Sequence, residues 1–279
     1  MRKKILVIVK AYPAISKKYH ETVCTAGLTE EGNWIRIYPI PFRLLDYENK
    51  FRKYEWVELD LQRNMSDFRP ETFRPKDLLL NDLVSYGVVK PDGDTWEERR
   101  KLVLKKVYTN MKTLIAQAKD KRICTSLAVF KPTIIHDFIY EEVEREWSKK
   151  KTDFLKSKKF QYNLFNNDDE MEISEFEIVD KLPYKFSFVF EDDAGKKSTL
   201  MIEDWETGML FWNSLAKHEG DEYKACLDVK KKYFDDFAKT KDYHFILGTT
   251  KVHHYIAPNP FVIIGDFRPK HITQESLFN

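Results

Sequence analysis

Through much of the first third of the chain, hydrophobic and polar positions alternate with a period of two. In "NWIRIYPIPFR", Asn33 to Arg43, Ile35 and Ile37 alternate with Trp34, Arg36 and Tyr38. That period belongs to a strand with the isoleucines on one face and an aromatic–arginine–aromatic row on the other. The preceding "TVCTAGL" and "TEEGN" predict a hairpin that turns at Glu31-Gly32-Asn33. Pro39 and Pro41 predict its end, because proline cannot donate to a ladder. Near the start, the unbroken "ILVIV" reads as a strand buried on both faces. "EWVELDLQR" alternates again, with Val57, Leu59 and Leu61 on one side, and "LVSYGVVKP" reads as a further strand. This opening third has the texture of a small antiparallel barrel with almost no helix.

The period changes near Asp94. Asp94 or Thr95 is placed to cap a helix, and Val103, Val107, Met111, Leu114 and Ala118 form one apolar stripe along it. Lys101, Lys105, Lys112 and Lys119 border that stripe, either as a row that follows a phosphate backbone or as lysines framing a packed helix. Strand composition returns in "TSLAVFKPTIIHDFIYEEV", broken at Pro132, and a charged stretch at 144–159 reads as helical or mobile. "YKFSFVFEDD" and "STLMIEDW" predict a second hairpin about Ala194-Gly195, with Tyr184, Phe186, Phe188 and Phe190 on one face. Helices are predicted over Glu206 to His218 and Asp221 to Lys239, followed by the strands "DYHFILGTT" and "FVIIGDFRP". The fold class is therefore mainly β with helical insertions (α+β). A first β unit spans 1–92, a connecting helix 93–122 and a second β unit 123–279.

Composition narrows the class. Hydrophobic residues make up 42% and charged residues 33%, the balance of a soluble globular chain. No apolar run approaches the roughly 20 residues of a membrane span. The first residues lack a signal-peptide pattern, so a cytoplasmic location is expected. Net charge is only +2, but basic runs ("RRKLVLKK", "KDKR") are segregated from acidic ones ("NNDDEMEISEFE", "EDD"). Such runs either form a basic face beside an acidic one or are solvated surface. Cys24, Cys124 and Cys226 are widely spaced with no CxxC pair, and His253 and His254 would point to opposite faces of a strand. No metal site and no cofactor is predicted.

Motifs for chemistry are few. The chain has no G-x-S-x-G elbow, no Walker A loop, no G-x-G-x-x-G and no H-E-x-x-H. Glu58, Asp60, Glu203 and Asp204 would make a nuclease-type metal site only if the fold converged them. His20 and Cys24 share a strand face, an arrangement open to a thiol nucleophile or to an ordinary core cysteine.

Four stretches carry a family likeness: "ETVCTAGLTEEGNWIRIYPIPFR", "FRPETFRP", "LPYKFSFVFEDDAGKKSTLMIEDWETGMLFW" and "FILGTTKVHHYIAPNPFVIIGDFRP". Together they resemble the dual OB-fold-containing (DuOB) proteins of prokaryotic defence and mobile-element neighbourhoods, over essentially the whole chain. The resemblance implies two small OB-like barrels, no established catalytic residues, and a role in recognising nucleic acid or nucleotide within an immune system. On an OB barrel, Trp34 and Tyr38 would stack bases while Arg36 meets phosphate. Lys10, Arg43 and Arg63 would extend that patch, with Lys101 and Lys105 contributed by the helix. The same face could instead pack against the other barrel or hold a small ligand. The expected function is non-enzymatic binding or sensing of nucleic acid, DNA or RNA and single-stranded, or of nucleotide. The alternative is an adaptor for a co-encoded effector protein, with no nucleic-acid contact and no membrane.

Overall fold

The structure, a computed structural model, describes residues 1–272 other than 17–18, 94, 150–151, 153–160, 163–170 and 173–178. The candidate cap Asp94, most of the charged stretch at 144–159 and most of the acidic run at 166–177 lie outside these residues.

Strand β1 (Arg2–Lys10) has two dry faces, as its unbroken apolar run predicts. Ile5 and Val7 point into one hydrophobic cluster, Leu6 and Ile8 into another. β1 pairs antiparallel with β3 (His20–Thr29) on one side and with β5 (Glu55–Arg63) on the other. β3 forms the predicted hairpin with β4 (Trp34–Ile40), turning where Gly32 adopts φ +86°, a conformation that favours glycine. β4 runs parallel to β6 (Thr72–Pro75), and β6 closes on β5. The order β1-β3-β4-β6-β5-β1 is a closed five-stranded barrel around Val23, Ile35, Ile37, Val57, Leu59 and Leu61. β2 (Ala14–Ser16) and β7 (Val84–Val88) pair with β3 and β5 respectively. β4 ends at Ile40, just before Pro41, as the strand "WIRIYPI" predicts; Pro39 is tolerated inside it because the pairing with β3 shifts register between Val23 and Thr25.

The connecting helix is corrected to two short ones. Helix α1 (Glu97–Val103) and helix α2 (Met111–Lys119) are separated by the short strand β8 (Val107–Tyr108). Val107, Tyr108 and Thr109 favour extended backbone. Asn110 then starts a new helix, its side chain accepting from the Thr113 amide at 2.9 Å. Thr95 caps nothing; the Asp92 carboxylate accepts from the Glu98 amide instead. The four bordering lysines therefore do not share one helix edge.

The second unit repeats the first topology. β9 (Leu127–Phe130) and β10 (Ile134–Glu142) act as one long strand bent at Pro132. A two-residue pair follows, β11 (Gln161–Tyr162) with β12 (Met171–Glu172). β10 pairs with β13 (Tyr184–Glu191), and β13 pairs with β14 (Lys197–Met201). Just past β14, Ile202 bridges in parallel to Ile263 of the last strand, β16 (Phe261–Phe267). β16 pairs with β15 (His244–Thr249), and β15 returns to β9. Counting β9/β10 as the first strand, both units run first–second–third–fifth–fourth–first, with third beside fifth in parallel. The chain is two OB-like barrels. Phe186, Phe188 and Phe190 fill the second, and fully burying each ring is worth roughly 1.5–3 kcal/mol. Helix α3 (Trp205–Lys217) and helix α4 (Glu222–Lys230), prolonged by a wider-turned helix over Lys231–Ala238, lie between its third and fourth strands.

A third apolar cluster joins the barrels. Leu6, Ile8, Ala26 and Leu28 of the first pack with Leu127, Val129, Ile246 and Phe267 of the second. A buried ionic network crosses the same seam. Lys53 Nζ lies 3.0 Å from Asp204 and 3.3 Å from Glu206, and Arg268 pairs with Asp266 and Glu206. Burial pushes the Asp204 carboxyl up to about 6, against the pull of Lys53.

Candidate functional site

The alternation along β4 holds, but its three outward residues meet three different surroundings. Arg36 is only 2% exposed. Its Nη1 donates to Glu71 Oε1 at 2.7 Å and to Ser126 Oγ at 2.9 Å, and its Nη2 donates to the Ser126 carbonyl at 3.1 Å. Ser126 belongs to the second barrel's side of the seam, so Arg36 is a cross-barrel clamp and not a phosphate contact. Arg69 does the same nearby: it pairs with Asp67 and donates to the carbonyl of Thr249. Tyr38 is 36% exposed and its hydroxyl accepts from Thr22 Oγ1 at 3.3 Å. Trp34 is half-buried at the edge of the seam cluster.

Beside Trp34 the seam opens into a cleft of about 270 Å³. The first barrel supplies Gly32, Trp34 and Glu71; the turn after α1 supplies Lys105 and Lys106; Tyr108 and the segment Ile123–Leu127 close the far side. Lys105 lies against Gly32, where any Cβ would come within 2.9 Å of its ammonium. Lys106 stands over the Tyr108 ring at 5.0 Å. Glu71, the acid in the wall, is already held by Arg36 and by the Ser126 hydroxyl. Lys105 and Lys106 have no carboxylate partner among the described residues. The cleft thus combines an indole face, a phenol and two lysines with a neutralised acid.

At the far side of the cleft, Cys124 Sγ lies 3.6 Å from His254 Nε2. That nitrogen is 2.8 Å from the Ala118 carbonyl, so it carries the proton, and Nδ1 accepts from Thr249 Oγ1 at 2.7 Å. Burial pushes the Cys124 thiol up and the His254 imidazole down, which leaves both neutral. An imidazole with its near nitrogen protonated cannot deprotonate the thiol, so this pair is packing rather than nucleophile chemistry.

Of the other expected contacts, only Lys105 reaches the cleft. Lys10 is tucked between Phe42, at 4.5 Å, and Trp205, at 5.9 Å, and burial pulls its ammonium down. Arg43 pairs with Glu21 at 2.8 Å. Arg63 donates to the carbonyls of Asn64, Asp67 and Arg69 and so holds that loop. Lys101 pairs with Glu97 on exposed α1. The carboxylates weighed for a metal site are dispersed among their own cations: Glu58 with Arg2, Asp60 with Lys76, Asp204 with Lys53. Glu203 is shifted up by burial alone. Among the described residues no group of three or more His, Cys, Asp or Glu is placed to hold a metal ion. Burial also pushes the Cys24 thiol up, against the pull of Arg36. No described helix is long and apolar enough to cross a membrane.

The sequence alone does not single out two of the cleft residues, Lys106 and Tyr108; the basic run "RRKLVLKK" directly before Val107 and Tyr108 is the available signal.

Residues 1–105 match the family described as domain of unknown function DUF8758, and residues 107–279 match domain of unknown function DUF8757. The second match covers 173 of 279 residues, counting 107 through 279. The chain belongs to the DUF8757 family. No curated protein matches it. The DUF8758 and DUF8757 portions meet between α1 and β8, where Lys105 and Lys106 stand, and the cleft takes lining from both.

Proposed function

We propose that the chain binds single-stranded nucleic acid or a nucleotide in the seam cleft, and that it acts as a recognition component of a prokaryotic defence system. The observation that carries this reading is the convergence of a half-exposed indole with two lysines lacking acid partners in one cleft between the barrels. A base stacks on an aromatic face whatever its identity, and lysine ammonium groups follow the phosphates. At about 270 Å³ the cleft is at the small end for ligand sites, the size for one nucleotide unit rather than for a large cofactor. The defence context comes from the resemblance to the DuOB proteins.

The test is anisotropy titration of labelled oligothymidylate and oligouridylate across a salt series. Affinity is expected to fall with salt, with a slope of roughly 0.7 per phosphate contact. Trp34→Leu should weaken binding by about 1–3 kcal/mol, and Lys105→Glu with Lys106→Glu should flatten the salt slope. Unchanged binding in both variants, or no binding at low salt alongside a stable complex with a co-encoded protein, defeats the proposal and leaves the adaptor reading.

A further inference from the structure

Next to the cleft, the loop at 64–71 of the first barrel and the turn at 251–257 of the second present an apolar surface. Phe68 is 43% exposed and Tyr255 38% exposed, and their rings stack on each other at 4.9 Å with 27° between planes. Met65 and Ile256 project further, and both are among the most exposed large apolar side chains in the chain. Such a cluster marks a contact surface. It is continuous with the cleft, because the Tyr255 hydroxyl lies 3.5 Å from the Sγ of Cys124, a cleft residue. The pair is also held in place. His254, packed edge-on against both rings, is anchored at Thr249 and Ala118, and Lys119 donates to the Ala257 carbonyl at 2.6 Å.

Charge chooses the occupant. Three acids lie in the loops around this surface, and each is taken by an arginine: Asp67 by Arg69, Glu71 by Arg36, Asp120 by Arg122. Lys121 and Lys251, like Lys105 and Lys106, have no carboxylate partner among the described residues. Exposed rings within a surplus of cations suit an anionic chain that carries flat bases.

We infer that the site is built for a polynucleotide rather than a free nucleotide, with the Phe68–Tyr255 pair as a second base platform along a single strand leaving the cleft. The inference rests on the cleft reading and names its ligand class. The experiment compares thymidine monophosphate, a dinucleotide and an eight-residue oligothymidylate carrying 4-thiothymidine. Each is titrated against the full chain and against Phe68→Leu/Tyr255→Leu, which keeps bulk and removes both rings. The octamer is expected to bind at least tenfold tighter than the monophosphate and to crosslink at Tyr255 or Phe68. The double variant should lose roughly 5- to 150-fold for the octamer, the size of one stacked base, and nothing for the monophosphate. Monophosphate binding that persists while the octamer gains nothing, or crosslinks only around Trp34, overturns the second platform and leaves the cleft reading standing. Octamer binding that depends on Phe68 and Tyr255 but ignores Trp34, Lys105 and Lys106 supports the platform and removes the cleft. No binding of any of the three ligands overturns both.

Discussion

Arg36 shows how far a single residue can depart from the job its face implies. The alternation of β4 places it correctly, pointing out of the barrel between Trp34 and Tyr38. What alternation cannot encode is that Ser126, ninety positions later, roofs that point of the face. A guanidinium there is stable only because Glu71, Thr72 and Ser126 satisfy its fork. Replacing it with leucine leaves Glu71, itself 14% exposed, with no cation. Arg36→Leu is expected to cost about 3–5 kcal/mol in urea denaturation. Arg36→Lys should recover little, because a point ammonium cannot reach both Glu71 and the Ser126 carbonyl. Arg36→Leu/Glu71→Leu should recover much of the loss, since the stranded charge is then gone. A loss below about 1 kcal/mol for Arg36→Leu would contradict the clamp, because breaking a buried pair costs several times that.

Strands were legible and one helix was not. β1, the β3–β4 hairpin, β5 and the β13–β14 hairpin all follow from their apolar periods, since a strand's burial is written every second residue. The stretch from Thr95 to Lys119 has a good helical stripe, yet it breaks at Val107–Tyr108, which pairs with β9. Tertiary pairing there outweighs the local helical stripe. The cleft was half legible: Trp34 and Lys105 were named, but their neighbours come from loops whose position only the fold sets. α3 illustrates the same dependence. Glycine inside a helix usually costs about 1 kcal/mol relative to alanine. At Gly208, however, a Cβ would overlap the Tyr12 ring of the first barrel. That ring's hydroxyl accepts from Trp212 Nε1 at 2.8 Å, so it cannot simply move aside. Gly208→Ala should therefore destabilise by about 1–3 kcal/mol despite its better helix propensity. In a double-mutant cycle, Gly208→Ala should cost little once Tyr12 is alanine. Equal costs in both backgrounds would place the strain elsewhere.

At the scale of the whole molecule, two barrels of one topology are joined by a dry seam, and the cleft exists only where that seam is formed. Trp34 and Glu71 come from one barrel, Tyr108 and Ser126 from the side of the other. Separating the barrels would expose Leu6, Ile8 and Leu28 on one piece and Val129, Ile246 and Phe267 on the other. It would also leave Arg36 and Lys53 facing water without Ser126 and Asp204. Residues 1–105 and 107–279 produced separately should bind a hydrophobic dye and unfold well below the intact chain. Mixed, they should form a one-to-one complex on a sizing column, because each face fits only the other. Two halves that stay monomeric and unfold at the temperature of the intact chain would mean that the seam contributes little. In that case a strand bound across it could pull the barrels apart, and oligonucleotide affinity should survive cutting the chain between Lys105 and Val107. If the seam is rigid, the cut halves should regain that affinity only as they reassemble, in proportion to the complex formed.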